Sequence, residues 1–420
     1  DVYRYKTIRK LSALASDRGN ISLKSVHELE IETVPSYEDT DSVSYNAYRT
    51  VLLTGATGFL GSHILYELIT ETESNVICVV RGKDKSTAKK RLYENLVHYF
   101  GSAFVNENSG RIDIICGNIS NKNFGIDESI ISVLQDKVDL IIHAAALVKY
   151  FGSEEEFRRI NVEGTRNAIE LAKKLSARYA HISTVGISGS YLTRSDVKGA
   201  VIDEKTFYVG QNYTDNLYVK TKFEAENLVL HEMNNGMDAT IFRMGNLIGR
   251  WSDGHFQINI NENAFYNILR SVIGLGCISE SMLDVDVELT PVDLAAKSVV
   301  KIITTDESNK RVFHIANPHE PKFSVLVKYL SDMGIHIDSM SDADFYDVLQ
   351  KMTQDEEKSD LVNGIMIDVD DTKKIDYNID VTVDTKITQA FLKMCGFEWS
   401  IPTYEYLYKI IQYIKKQKLL

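Results

Sequence analysis

Cysteine is scarce and scattered. The chain has four in 420 residues, Cys78, Cys116, Cys277 and Cys395, and no two form a CxxC pair. Cys78 and Cys116 lie in apolar, strand-like runs, so buried free thiols are expected. Disulfide chemistry is not expected, which favours a reducing, cytoplasmic compartment. The ten histidines show neither HxxxH nor HExxH spacing, so no structural or catalytic metal is expected. No apolar run approaches the ~18 residues of a membrane-spanning helix. Asp1-Val2-Tyr3-Arg4-Tyr5 has no apolar signal core. Positive charge is in deficit: 47 Lys and Arg stand against 59 Asp and Glu, a net charge of −12. Such a surface repels phosphate backbones, so neither a nucleic-acid nor a membrane partner is expected. Internal repeats and low-complexity tracts are absent as well. The chain opens on Asp1 rather than Met, as expected of a piece of a larger polypeptide.

What is there is ordinary globular composition, 44% hydrophobic and 25% charged. From about residue 50, short apolar runs alternate with longer helical segments. The runs are Thr50–Leu53, Asn75–Val80, Ile112–Cys116, Val138–Ala144, Tyr179–Ile182, Thr240–Arg243 and Val312–Ile315. Helical periodicity marks Phe59–Thr70, Ser86–Tyr99, Glu154–Leu175 and Asp215–Met233. Uniformly apolar strands alternating with helices predict a parallel sheet covered on both faces, an α/β fold. Thr290-Pro291-Val292-Asp293 opens a further helix with Pro in its first turn. Beyond about Phe323 the chain reads as helical and acidic.

Gly55-Ala56-Thr57-Gly58-Phe59-Leu60-Gly61 follows the first apolar run and opens a helix. Three glycines at this spacing, between strand and helix, predict a dinucleotide-binding turn. The first allows the tight turn, the second lets backbone approach a pyrophosphate, and the third lets the helix pack close. The helix N-terminus then offers free N–H groups to phosphate. At the end of the second strand, an acidic residue would select NAD through the ribose 2′-hydroxyl. Arg81 stands there instead, 20 residues after Gly61, and Lys83, Lys90 and Arg91 follow. A guanidinium suits a 2′-phosphate, so NADP(H) is the expected cofactor; the bland alternative is a surface arginine at a strand end.

Of the 22 tyrosines only Tyr218 is followed four residues later by lysine, Lys222. On a helix the two share a face. An ammonium there stabilises the phenolate and is expected to lower the tyrosine pKa toward neutrality, making a general acid. Thr184 ends the apolar strand upstream, where open α/β sheets bind their ligands, so its hydroxyl is expected on a substrate carbonyl oxygen. Asn161 is a weaker candidate for a supporting polar contact.

Together these residues resemble the extended short-chain dehydrogenase/reductase superfamily. The matching segments are TGATGFLG (54–61), HAAA (143–146), NVEGT (161–165), HISTVGISG (181–189) and YVKTK (218–222), in the family's order. The resemblance implies a Rossmann-like doubly wound parallel sheet and a catalytic Thr184, Tyr218 and Lys222. It also implies cofactor contacts from Gly55, Thr57, Gly58, Phe59, Leu60, Gly61, Arg81, Arg91, Asn118, Ile119, Ala144 and Lys222. Asn118 stands where the family usually has Asp.

Within that superfamily the chain looks like the C-terminal thioester reductase domains of nonribosomal peptide synthetases. VVRGKDKSTAKKRL (79–92), RMGNLIGR (243–250), ELTPVDLAAKSVV (288–300) and VFHIANP (312–318) carry this likeness. It implies NADPH-dependent reduction of an acyl or peptidyl thioester, held on a carrier domain's phosphopantetheine arm, to an aldehyde, with a second hydride giving an alcohol. Residues 1–11 resemble the last helix of a peptidyl carrier domain, with Lys6 in place of a usual proline. The expected organisation is a carrier helix at 1–18 and a linker at 19–49. The NADP(H)-binding part follows at 50–250 with a returning segment at about 288–318. A smaller, mainly helical substrate-binding subdomain takes 251–287 and 319–420. Ser190–Asn212 and Asn259–Ser271 are expected to border the substrate. The alternative is a free-standing fatty acyl-CoA reductase, or another extended short-chain dehydrogenase acting on a nucleotide sugar; neither needs a carrier remnant.

Overall fold

A computed structural model of the chain describes residues 29–149, 152–189, 199–214, 216–353, 362, 365 and 381–417. The expected carrier helix at 1–18 lies outside the described residues.

The chain enters its sheet at β1 (Thr50–Thr54) and continues through α1 (Phe59–Glu71), β2 (Asn75–Val80), α2 (Lys85–Asn108) and β3 (Ile112–Cys116). Next come α3 (Glu128–Gln135), β4 (Leu140–His143), α4 (Glu163–Leu175) and β5 (Arg178–Thr184). After these follow α5 (Leu217–Asn234), β6 (Ala239–Met244), α6 (Ala264–Leu275), α7 (Val292–Ile303) and β7 (Val312–Ile315). The seven strands are parallel in the order β7-β6-β5-β4-β1-β2-β3. Alternate residues of each strand feed opposite cores. Val51 and Leu53 pack with α1, α2 and α7, whereas Leu52 packs with α3, α4 and α5. The order reverses between β1 and β4, the place where a doubly wound sheet leaves a crevice at its carboxyl edge.

Three local features differ from the expected pattern. The Glu154–Leu175 helix is broken: Glu154–Phe157 is α-helical, Arg158–Val162 forms a π turn, and α4 begins at Glu163. Pro291 caps α7 from outside rather than standing in its first turn. The described part of the linker, residues 29–49, is docked along the sheet's flank. Asn227 of α5 holds it at both the Glu30 carbonyl and the Glu32 amide, each at 2.9 Å. Arg311 donates to the Glu38 carbonyl and lies over the Tyr37 ring, and Tyr45 bridges to Thr305.

The C-terminal region forms a second core around α6, α8 (Phe323–Asp332), α9 (Asp342–Thr353) and α11 (Tyr404–Lys416). Its expected 319–420 span is interrupted. Val381–Val383 pairs with Ala200–Ile202, and α10 (Lys386–Met394) packs its Phe391 and Leu392 into the nucleotide-side core. The tail crosses back because those apolar side chains complete the cover over α7 and β7.

Candidate active site

The glycine turn leaves β1 and enters α1 with almost no free volume. Gly55 has φ +80° and its backbone abuts the next strand's exit. A Cβ there would lie 2.6 Å from the Ala144 carbonyl carbon and 2.7 Å from the Ala145 nitrogen. A Cβ on Gly61 would lie 2.1 Å from the Gly55 oxygen. The Gly58 N–H closes the turn on the Gly55 carbonyl at 2.8 Å. Two side chains that the glycine spacing does not announce brace it. Thr54 Oγ1 accepts from the Ala145 N–H and lies 2.9 Å from His143 Nδ1, and Asn95 of α2 donates to the Thr57 carbonyl. Phe59 stacks on Phe256, and Leu60 packs against the sheet core. The shape is a tight turn leading into a helix start with no side-chain cap, which fits a dinucleotide pyrophosphate.

Arg81 and Gly82 follow β2, with Arg91 one α2 face away. The Arg91 guanidinium lies 3.4 Å from the Arg81 carbonyl, and its pKa is lowered by burial and by the Arg81 charge. Two cationic side chains thus stand together at the end of β2. Asp84 stands three residues beyond Arg81, but its carboxylate caps α2, accepting the Thr87 N–H and hydroxyl. That cap occupies the one acidic side chain near the pair on the turn. Asn118 closes its own turn by accepting the Ser120 N–H, and Ile119 packs on Gly164.

Thr184 is the last residue of β5 and Tyr218 the second of α5, which brings their side chains together at the carboxyl edge of the sheet. Asn216 caps α5 through the Tyr218 and Val219 amides, which fixes where the tyrosine starts the helix. The Gly186 N–H donates to Thr184 Oγ1 at 3.1 Å. Lys222 lies one turn on and is buried, with Nζ donating to the Ile182 carbonyl at 2.6 Å.

The expected effect of Lys222 on the tyrosine is not what this arrangement produces. Burial pushes Tyr218 up to about 12, only partly offset by the Thr184 side chain. Burial pushes Lys222 down to about 8, with Glu226 opposing. Desolvating a phenolate outweighs an ammonium that is turned to a main-chain carbonyl. Tyr218 is therefore a protonated phenol at neutral pH, in the form a proton donor requires.

Asn161 sits in the π turn and is buried there. Its amide accepts from the Leu147 N–H and donates to the Leu147 carbonyl and Thr221 Oγ1, tying the exit of β4 to the helix of Tyr218 and Lys222. An extra residue in the turn is what aims it inward. Behind Lys222, Glu226 forms a buried ion pair with Arg243 at 2.7 Å and accepts from Ser183. Arg243 also donates to His314 and to the Thr206 carbonyl. Nothing in the tyrosine–lysine spacing points to this ion pair. Its one sequence signal is Arg243, a charged residue in the apolar run Thr240–Arg243.

A sheet that reverses beside β1, with its hydroxyls gathered at the carboxyl edge of β5, is the architecture of the NAD(P)-binding short-chain dehydrogenase/reductases. The profile of the NAD-binding family described as Male sterility protein matches residues 53–299. A thiolation-reductase di-domain from an archaeal non-ribosomal peptide synthetase is 30% identical, with TM-score 0.77 over 90% of this chain and 77% of that one. The terminal R domain of the myxalamid PKS-NRPS pathway is 25% identical, with TM-score 0.77 over 89% of this chain and 92% of that one. A linear gramicidin synthase of Brevibacillus parabrevis is 25% identical over 309 residues, 73% of this chain. The chain belongs to this NAD-binding family and, within it, to the reductase domains of nonribosomal peptide synthetases. It spans 6% of the gramicidin synthase, a small part of a much longer protein.

Proposed function

We propose that this domain uses NADPH to release an acyl or peptidyl group from a carrier domain's phosphopantetheine thioester as an aldehyde. The observation that carries the reading is the placing of Thr184 and Tyr218 side by side at the carboxyl edge of the sheet, with buried Lys222 one turn away. Gly55, Thr57, Gly58, Phe59, Leu60 and Gly61 would hold the pyrophosphate. Asn118, Ile119 and Ala144 would border the adenosine and nicotinamide sides, and Arg81 with Arg91 would take the 2′-phosphate. When bound, the cofactor supplies a hydride to the thioester carbonyl carbon.

Thr184 and Tyr218 hydrogen-bond the carbonyl oxygen and stabilise the charge that develops on it. Tyr218 gives that oxygen its proton, and Lys222 holds an ammonium nearby that compensates the tyrosine's loss of a proton. The hemithioacetal then breaks its carbon–sulfur bond. The pantetheine sulfur leaves as the thiol, carrying the proton released as the C=O bond re-forms. The docked segment at 29–49, whose residues 30–33 lie on the C-terminal half of α5, is compatible with a carrier domain upstream.

The test is incubation with NADPH and a panel of acyl-pantetheine thioesters, following cofactor oxidation and the product mass. Tyr218→Phe is expected to retain NADPH binding and lose roughly 10²–10⁴-fold in turnover. Near-normal turnover in that variant would refute the assignment.

A further inference from the structure

A buried file of side chains stands behind Lys222 that the chemistry above does not use. Tyr179 and His181 alternate along β5 and so share a face, and His143 of β4 is in register with His181. The His143 and His181 rings stack with centroids 5.9 Å apart. All three side chains are buried, His181 completely. His181 Nε2 lies 3.4 Å from Lys222 Nζ, and His181 Nδ1 lies 3.3 Å from the Tyr179 hydroxyl.

We propose that His181, oriented by Tyr179, is a positioning residue that holds Lys222 in its ammonium form at the Ile182 carbonyl. The argument starts from donors and acceptors. A neutral imidazole has one N–H and one lone pair. An ammonium has only donors, so Nε2 must present its lone pair to Lys222. The ring proton then sits on Nδ1 and donates to the Tyr179 oxygen, which selects the tautomer. The opposite tautomer would set an N–H against the ammonium. Burial and the Lys222 charge both hold His181 well below its usual pKa, which keeps the ring neutral.

Among the described residues, the groups facing Lys222 are His181 and the Ile182 carbonyl from β5, Glu226 from its own helix, where Tyr218 stands one turn before, and His143 from β4. Ser183 and Arg243 also hold the Glu226 carboxylate, whose charge favours the ammonium. The His181 lone pair adds to that support at 3.4 Å, beside the main-chain carbonyl. Removing it leaves desolvation less opposed, and the lysine loses its proton at a lower pH.

This inference rests on the proposed thioester reduction, and its test is the pH profile of that reaction. In the wild-type domain kcat is expected to fall as pH rises through about 8, where Lys222 deprotonates. His181→Phe keeps a stacked ring without an acceptor and is expected to move that limb down by about one pH unit. His181→Gln restores an acceptor at the reach of Nε2 and returns the limb toward the wild-type position. Tyr179→Phe removes the group that selects the tautomer, leaves the ring packing intact, and moves the limb in the same direction by less.

A limb that stays put in both phenylalanine variants, or a glutamine variant as shifted as His181→Phe, overturns the inference. Should His181→Phe not fold, Tyr179→Phe decides by the same readout. A wild-type domain that reduces no thioester defeats the underlying function instead, so the two failures are distinguishable.

Discussion

Gly61 has no room for a side chain, because a Cβ would sit 2.1 Å from a backbone oxygen that cannot move without opening the turn. Gly61→Ala is expected to destabilise the domain by about 1–3 kcal/mol and to abolish NADPH binding. Thermal melting and NADPH fluorescence titration check the two effects. Arg81 acts at the same scale but through charge. Arg81→Ala is expected to lower NADPH affinity by roughly tenfold or more and leave NADH affinity nearly unchanged, measured by titrating both cofactors. The identities of these residues are legible in the sequence, because glycine spacing and strand-end charge are local properties. The pKa of Tyr218 is not. Lysine at i+4 argues for a lowered value, and burial reverses the sign. Spacing along a helix carries no information about how deeply the helix start is desolvated.

At the scale of elements, three strands, Asn75–Val80, Ile112–Cys116 and Val312–Ile315, have the bounds that their apolar runs indicate. Their apolar residues are mostly buried, with Asp113 of the edge strand β3 exposed, and a polar residue precedes each run. The Glu154–Leu175 pattern misleads for the opposite reason. A π turn adds one residue without disturbing the apolar stripe enough to be read, yet it is what turns Asn161 inward. The segment at 29–49 is polar and reads as a linker, but polar residues dock well when their partners are polar too. Asn227 alone makes two hydrogen bonds to its backbone. Asn227→Ala is expected to cost about 1–2 kcal/mol and to raise amide exchange around residues 30–34, without changing the exchange of the sheet. Mass-spectrometric hydrogen exchange reads both.

The whole molecule decides groups that no element controls alone. Glu67 of α1 is 8% exposed where α1 packs on α7, and burial raises its carboxyl from 4.5 to about 7. A raised acid stabilises the fold fully below its unfolded value and loses that contribution as pH rises through the folded one. Glu67→Gln is therefore expected to gain on the wild type between pH 5 and pH 7.5, by roughly 2–3 kcal/mol in urea unfolding. Equal differences at the two pH values would show that the carboxyl is relaxed by its neighbours. No helix among the described residues is long and apolar enough to cross a membrane. By itself the sequence determined the class of sheet and the glycine turn that opens α1, because apolar strand runs and glycine spacing are local properties of the chain; it named Thr184, Tyr218 and Lys222 as candidates from short motifs. Only the tertiary structure decided what surrounds them. The Glu226–Arg243 pair, the His181 file behind Lys222 and the return of α10 onto the nucleotide side join residues distant in sequence. Burial and charge pairing act across space, and they exist only once the strands lie side by side.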